Sequence, residues 1–280
     1  MITRIRVWDR ATGRTRVVHE TTRHLEAPNW TADGRLVLNG DGALWAMPAD
    51  GSADPVRIEA AGLPAVNNDH VLAPDGETIY ASADDFHIWA VPLAGGGARR
   101  VTRVDAMHFL HGVRPDGGRL AYVRLTPDGE DWWASATIRT VAPDGSDDRA
   151  VTTDPGPADG CEWTPDGEWI LFNTEQFERG RAQIARVRED GSGLEQLTSD
   201  ERVNWFPHPS PDGELVVYLS YPGGTTGHPG GLPVELRLVT GDAWGEARTI
   251  AAFRGGQGTI NVPSWAPDSS AFAFCEYPEE

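Results

Sequence analysis

Trp163-Thr164-Pro165-Asp166-Gly167, running on into Glu168-Trp169-Ile170-Leu171-Phe172, reads as a tight turn followed by a β-strand. Proline presets φ at the second position of such a turn, and glycine accepts the positive φ that closes it. The same punctuation recurs at Ala32-Asp33-Gly34, Pro74-Asp75-Gly76, Pro115-Asp116-Gly117, Pro211-Asp212-Gly213 and Pro267-Asp268-Ser269. The six aspartates are spaced by 42, 41, 50, 46 and 56 residues, the period of a four-stranded propeller blade. A second strand follows each turn, as in Leu120-Ala121-Tyr122-Val123 and Leu215-Val216-Val217-Tyr218-Leu219. A third recurs as Leu44–Met47, Ile88–Val91, Ile138–Val141, Ile184–Val187 and Leu236–Val239.

The sixth copy of that third strand lies at the front of the chain, as Ile5-Arg6-Val7-Trp8, with Thr15–Val18 as a fourth-strand candidate. Ring closure explains the displacement. The chain starts with the third and fourth strands of the last blade and ends with its first and second, Asn261–Ala266 and Ala271–Tyr277, which removes an open sheet edge. The expectation is an all-β, six-bladed β-propeller with four antiparallel strands per blade. It forms a single domain over residues 1–280, with the last blade shared by residues 1–21 and 259–280.

The composition agrees and excludes several functions. Gly and Pro number 32 and 21, but 39% hydrophobic residues and 11 Trp supply a core, so a turn-rich globular fold is favoured over disorder. Every cation is Arg, and the net charge of −18 repels phosphate backbones and anionic lipid, arguing against nucleic-acid and membrane partners. The N-terminus carries no apolar signal segment, and two cysteines make no disulfide framework, so the location read from the sequence is cytoplasmic. Gly-x-Ser-x-Gly, His-Glu-x-x-His and phosphate-loop patterns are absent.

Mapped onto blades, all eight histidines fall at the end of the ring opposite the Pro-Asp-Gly turns. Five positions before the turn Asp, the inner strands read Pro28, His70, His111, Cys161, Pro207 and Pro263; two positions further upstream they read Glu26, Asn68, Phe109, Asp159, Trp205 and Asn261. His70, His111 and His208 are the candidate donors to a divalent cation, with manganese, calcium and zinc equally compatible. Asn67, Asn68, Asp69, His108, Asp159, Trp205, Gln257 and Asn261 are the candidate ligand-binding residues, for a small polar molecule or saccharide. His208 and His228 are the candidate proton-transfer groups, His228 being carried on the glycine-rich connection Tyr221–Gly231.

Trp163-Thr164-Pro165-Asp166-Gly167 and Trp265-Ala266-Pro267-Asp268 resemble the repeats of the TolB-like propellers, a family whose namesake binds proteins. That resemblance covers nearly the whole chain and implies the fold together with a protein partner. Phe206-Pro207-His208-Pro209-Ser210 more distantly resembles the Gln-x-x-His-x-His-Pro-Ser run of the oligogalacturonate lyases, which implies a metal, usually manganese, held in the channel. Of the three ligands in that run only the second His is kept, as His208, while Val203 and Phe206 replace the Gln and the first His. Two functions stay open: lyase-like elimination on an acidic or oxidised sugar, or non-catalytic binding of a protein, peptide or saccharide on the same face.

Overall fold

The computed structural model describes residues 1–126, 131–153 and 156–279. Five blades are regular four-stranded antiparallel sheets, and each begins at the channel and steps outward. Their innermost strands are Glu26–Trp30, Val66–Leu72, Met107–Val113, Ala158–Trp163 and Val203–Pro209, in blades 1 to 5. In blade 6, Ala271–Glu276 pairs with Thr3–Asp9, which pairs with Arg14–Thr21, so both ends of the chain meet in one sheet. The closing register runs from Arg4 opposite Glu276 to Asp9 opposite Ala271, and Arg6 Nη1 lies 2.9 Å from Glu276 Oε2.

The expected first strand of blade 6 departs from this pattern. Asn261–Ala266 forms no regular strand and keeps a single bridge, Trp265 to Phe272. Pro263 removes a ladder donor there, and the segment instead accepts Ala273 N–H at Ser264 O and Cys275 N–H at Thr259 O.

The turns behave as their residues dictate. Gly34, Gly76, Gly117, Gly167 and Gly213 all have φ between 70° and 82°. Ser269 occupies the equivalent place at φ 60°, and its buried Oγ accepts the Asp212 N–H at 3.0 Å, a contact to blade 5 that glycine could not make. The core lies between blades: Trp8, Trp205, Phe206, Phe272 and Phe274, for example, fill the space around blades 5 and 6. These sheets leave two concave mouths on the axis, one at the turns and one at the start of the innermost strands.

Candidate functional site

Each regular innermost strand contains a register shift, at Glu26/Asn29, Val66/His70, Leu110/Gly112, Asp159/Glu162 and Trp205/His208. Such bulges re-aim side chains, and here they decide what reaches the channel. Asn68, Phe109, Asp159 and Asn261 open on a cavity of about 280 Å³, as the repeat alignment implies. Asn67, Asp69, His111, Trp133, Phe206, His228 and Gln257 complete most of its wall. In blade 5, Phe206 adopts φ 54°, and this places Phe206 in the cavity while Trp205 is fully buried behind it.

The polar side of the cavity is one connected network. His111 donates from Nε2 to Asp159 Oδ1 at 2.7 Å and from Nδ1 to Asn261 O at 3.2 Å, so its ring carries both protons. Asp159 Oδ1 also accepts the Gly160 N–H at 2.7 Å. Asn67 Nδ2 donates to Asp69 Oδ2 at 2.9 Å. Gln257 links three groups: its Nε2 donates to Asn68 Oδ1, while its Oε1 accepts from Asn261 Nδ2 and from His228 Nδ1. His228 Nε2 is left as the acceptor, 3.6 Å from Asp159 Oδ2. Its ring packs on Trp205 at 4.3 Å between centroids and on Phe206 at 5.3 Å.

Charge in this network is shared among Asp69, His111 and Asp159. Burial alone would lower His111, but Asp159 and Asp69 carry it up to about 9. Burial, reinforced by Asp159, pushes Asp69 up to about 7 against the pull of His111 and Asn67. For Asp159 burial is outweighed by His111, and the carboxyl falls below its ordinary value. Burial keeps His228 neutral by lowering its pKa.

The sign of the pH dependence follows. Asp69 in the folded protein retains a proton that the unfolded chain releases above 3.8, so its contribution to stability is lost as pH rises towards 7. His111 retains its proton from the ordinary 6.5 up to about 9, and that contribution is lost across the same interval. The melting temperature is expected to fall between pH 6.5 and 9, and His111→Gln to flatten that fall. Calorimetric scans across the interval check it; an unchanged slope in the variant would contradict the assignment.

Several expected site residues lie elsewhere. His70 is fully buried, with Nε2 3.3 Å from Val37 O and Nδ1 without a partner, and burial lowers it to about 4. His108 bonds Phe86 O at 2.8 Å and stacks on His87 between blades, away from the cavity. His208 sits deeper, its Nδ1 2.6 Å from Glu162 Oε2 and its Nε2 on Ile260 O, so neither nitrogen is free to ligate or to take a proton from a substrate. Trp205 does not line the cavity; it backs the lining residues Phe206, His228 and Trp133.

The chemistry of the donors therefore does not fit a metal held by His70, His111 and His208. Two of these rings have both nitrogens engaged, and among the described residues no three His, Cys, Asp or Glu side chains are grouped as a metal would require. Glu162 and Phe206 matter more than their sequence context suggested. Glu162 had no motif to mark it, and Phe206 reaches the cavity only through its left-handed backbone.

Gly256 fixes how the His228 connection meets the segment bearing Gln257. Its φ of 123° suits glycine alone, and a Cβ there would collide with Pro229 O. Gly256→Ala is expected to cost about 1–3 kcal/mol and to displace His228 from Gln257. Denaturant unfolding, together with the His228 ring resonances, measures both effects.

No family model matches the chain. An uncharacterized protein of Agrobacterium fabrum is 36% identical over 279 residues, covering 98% of this chain and 92% of that protein. A solved structure from Agrobacterium tumefaciens, described as a candidate TolB, superposes with TM-score 0.92 at 35% identity, covering 100% of this chain and 99% of that one. The Tol-Pal system protein TolB of Francisella tularensis is 22% identical over 266 residues; the match takes in 90% of this chain but only 56% of that protein. An oligogalacturonate lyase in complex with manganese matches at TM-score 0.59 and 16% identity over 89% of this chain and 69% of that one, a likeness of fold. With its repeats, its closed ring and these relatives, the chain belongs to the family of TolB-like six-bladed β-propellers.

Proposed function

We propose that this protein is a binding module of the TolB-like type, taking a small, neutral, hydroxyl-rich ligand such as a saccharide in the cavity at the His111 mouth. One observation carries the reading. Side-chain amides and carboxylates share the cavity wall with Phe109, Trp133 and Phe206, and no Arg is among its lining residues. Amides and carboxylates supply the paired donors and acceptors that sugar hydroxyls need, while aromatic faces accept the apolar face of a sugar ring.

Lyase-like elimination on an acidic sugar is less well supported. It needs a cation to hold the carboxylate and to acidify the neighbouring C–H. The imidazolium of His111 is already committed to Asp159, and among the described residues no three His, Cys, Asp or Glu side chains group as a metal would require. A protein segment entering the same mouth is a second reading, favoured by the likeness to TolB of the Tol-Pal system. A cavity of about 280 Å³ would admit a side chain or short tip of it, not a folded surface.

Thermal-shift titration with neutral mono- and disaccharides and with galacturonate tests the reading. Neutral sugars are expected to raise the melting temperature in proportion to the logarithm of their concentration, without conversion to product. A larger shift with galacturonate, or formation of an unsaturated product, would overturn it.

A further inference from the structure

The opposite mouth holds a second cavity, of about 410 Å³, at the face of the Pro-Asp-Gly turns. Its wall is mostly apolar, built largely from the turn prolines and the indoles of Trp30, Trp163 and Trp265, with Asn29 and Thr31 adding polar surface. Glu162 is the one ionisable side chain that lines it, and that residue is 9% exposed. Glu162 Oε2 is held by His208 Nδ1 at 2.6 Å, and His208 is itself braced by Ile260 O. No hydrogen bond among the described residues engages Glu162 Oε1. Oε1 is therefore an acceptor left open to a ligand that enters the cup.

We propose that this cup binds a small organic cation, an ammonium or guanidinium group on an apolar stem, with Glu162 Oε1 as the acceptor and the indoles and prolines around the stem. His208 engages Oε2 and Ile260 O, which leaves Oε1 as the Glu162 oxygen available to a cation. The rim has the matching sign: Asp75, Asp166 and Asp268 form no ion pair among the described residues, whereas Asp33, Asp116 and Asp212 are paired with Arg35, Arg114 and Arg10. A divalent metal is a poor match, since it requires several oxygen ligands and the cup offers one carboxylate. Indole faces favour an organic cation further. This site is independent of the saccharide reading, because the two cavities share no lining residue.

Calorimetric titration with phenethylammonium, and with 2-phenylethanol as the uncharged probe of the same stem, tests the proposal. The ammonium is expected to bind at least about tenfold more tightly than the alcohol, the worth of a charge-assisted hydrogen bond. Glu162→Gln is expected to abolish that discrimination. Ala32→Arg, on the exposed rim, is expected to weaken the ammonium about tenfold by repulsion while leaving the melting temperature unchanged; it carries the test should the Glu162 variant not fold. Equal binding of alcohol and ammonium, no binding of ammonium at 10 mM (roughly a −3 kcal/mol limit), or retention of full ammonium affinity in a folded variant would overturn the proposal.

Discussion

Trp205→Ala is expected to destabilise the propeller by about 3–5 kcal/mol, the range for emptying a large buried aromatic site. The side chain is fully buried among Phe206, Leu236, Phe274 and their neighbours, where the surrounding sheets leave little freedom to collapse into the void. Its ring also backs His228, with centroids 4.3 Å apart, so loss of the indole removes the wall that holds that imidazole at the cavity. Ligand affinity at the His111 mouth should therefore fall together with stability. Trp205→Phe separates these contributions. The indole Nε1 has no hydrogen-bond partner among the described residues, so phenylalanine sacrifices volume and no hydrogen bond. Denaturant unfolding of both variants checks this: phenylalanine should recover most of the loss, and equal losses would show that the indole N–H matters after all.

Asp159→Asn is the second large effect, because it strands a buried cation. His111 is 3% exposed and donates to Asp159 at 2.7 Å, and removing one member of a buried pair typically costs about 3–5 kcal/mol. Asparagine keeps the shape and one acceptor oxygen, so the loss reports charge. With Asp159 neutralised the pKa of His111 drops, and the alkaline decline in melting temperature should begin at lower pH than in the parent. The double variant His111→Gln/Asp159→Asn is expected to be more stable than Asp159→Asn alone, since it leaves no buried charge unpaired. Additive losses in this double-mutant cycle would contradict the coupling.

Much of this architecture is legible from local chemistry. Proline and glycine at the turns act within four residues, so the blade count and ring closure could be read without any tertiary information. The inner-strand column of Asn68, Phe109, Asp159 and Asn261 is legible for a similar reason, since alternation propagates from a turn whose position is known. Trp205 breaks that column because Phe206 takes a left-handed backbone, which no residue type announced. The histidines divide: His111 and His228 reach the cavity and the others do not. Their shared end of the ring is a fact of connectivity, whereas burial separates His70 and His108 from the cavity and the pairing with Glu162 commits His208. Pairing across blades 4 and 5 joins Glu162 and His208, residues 46 positions apart, and carries no sequence signature. In blade 6 the run of first-strand residues was recognisable, but Pro263 and the competing bonds to Ser264 and Thr259 leave it irregular.

On the proposed function, the His111 mouth recognises a neutral polyol through Asp159 and its amide neighbours. Isothermal titration of one neutral disaccharide into the parent protein and into Asp159→Asn, both verified as folded at pH 6, tests it most directly. The expected result is one site in the parent and an affinity about ten- to a hundredfold weaker in the variant, the loss of a hydrogen bond to a charged acceptor. Equal affinity in the two proteins, or a parent that binds galacturonate and not the neutral sugar, would contradict it.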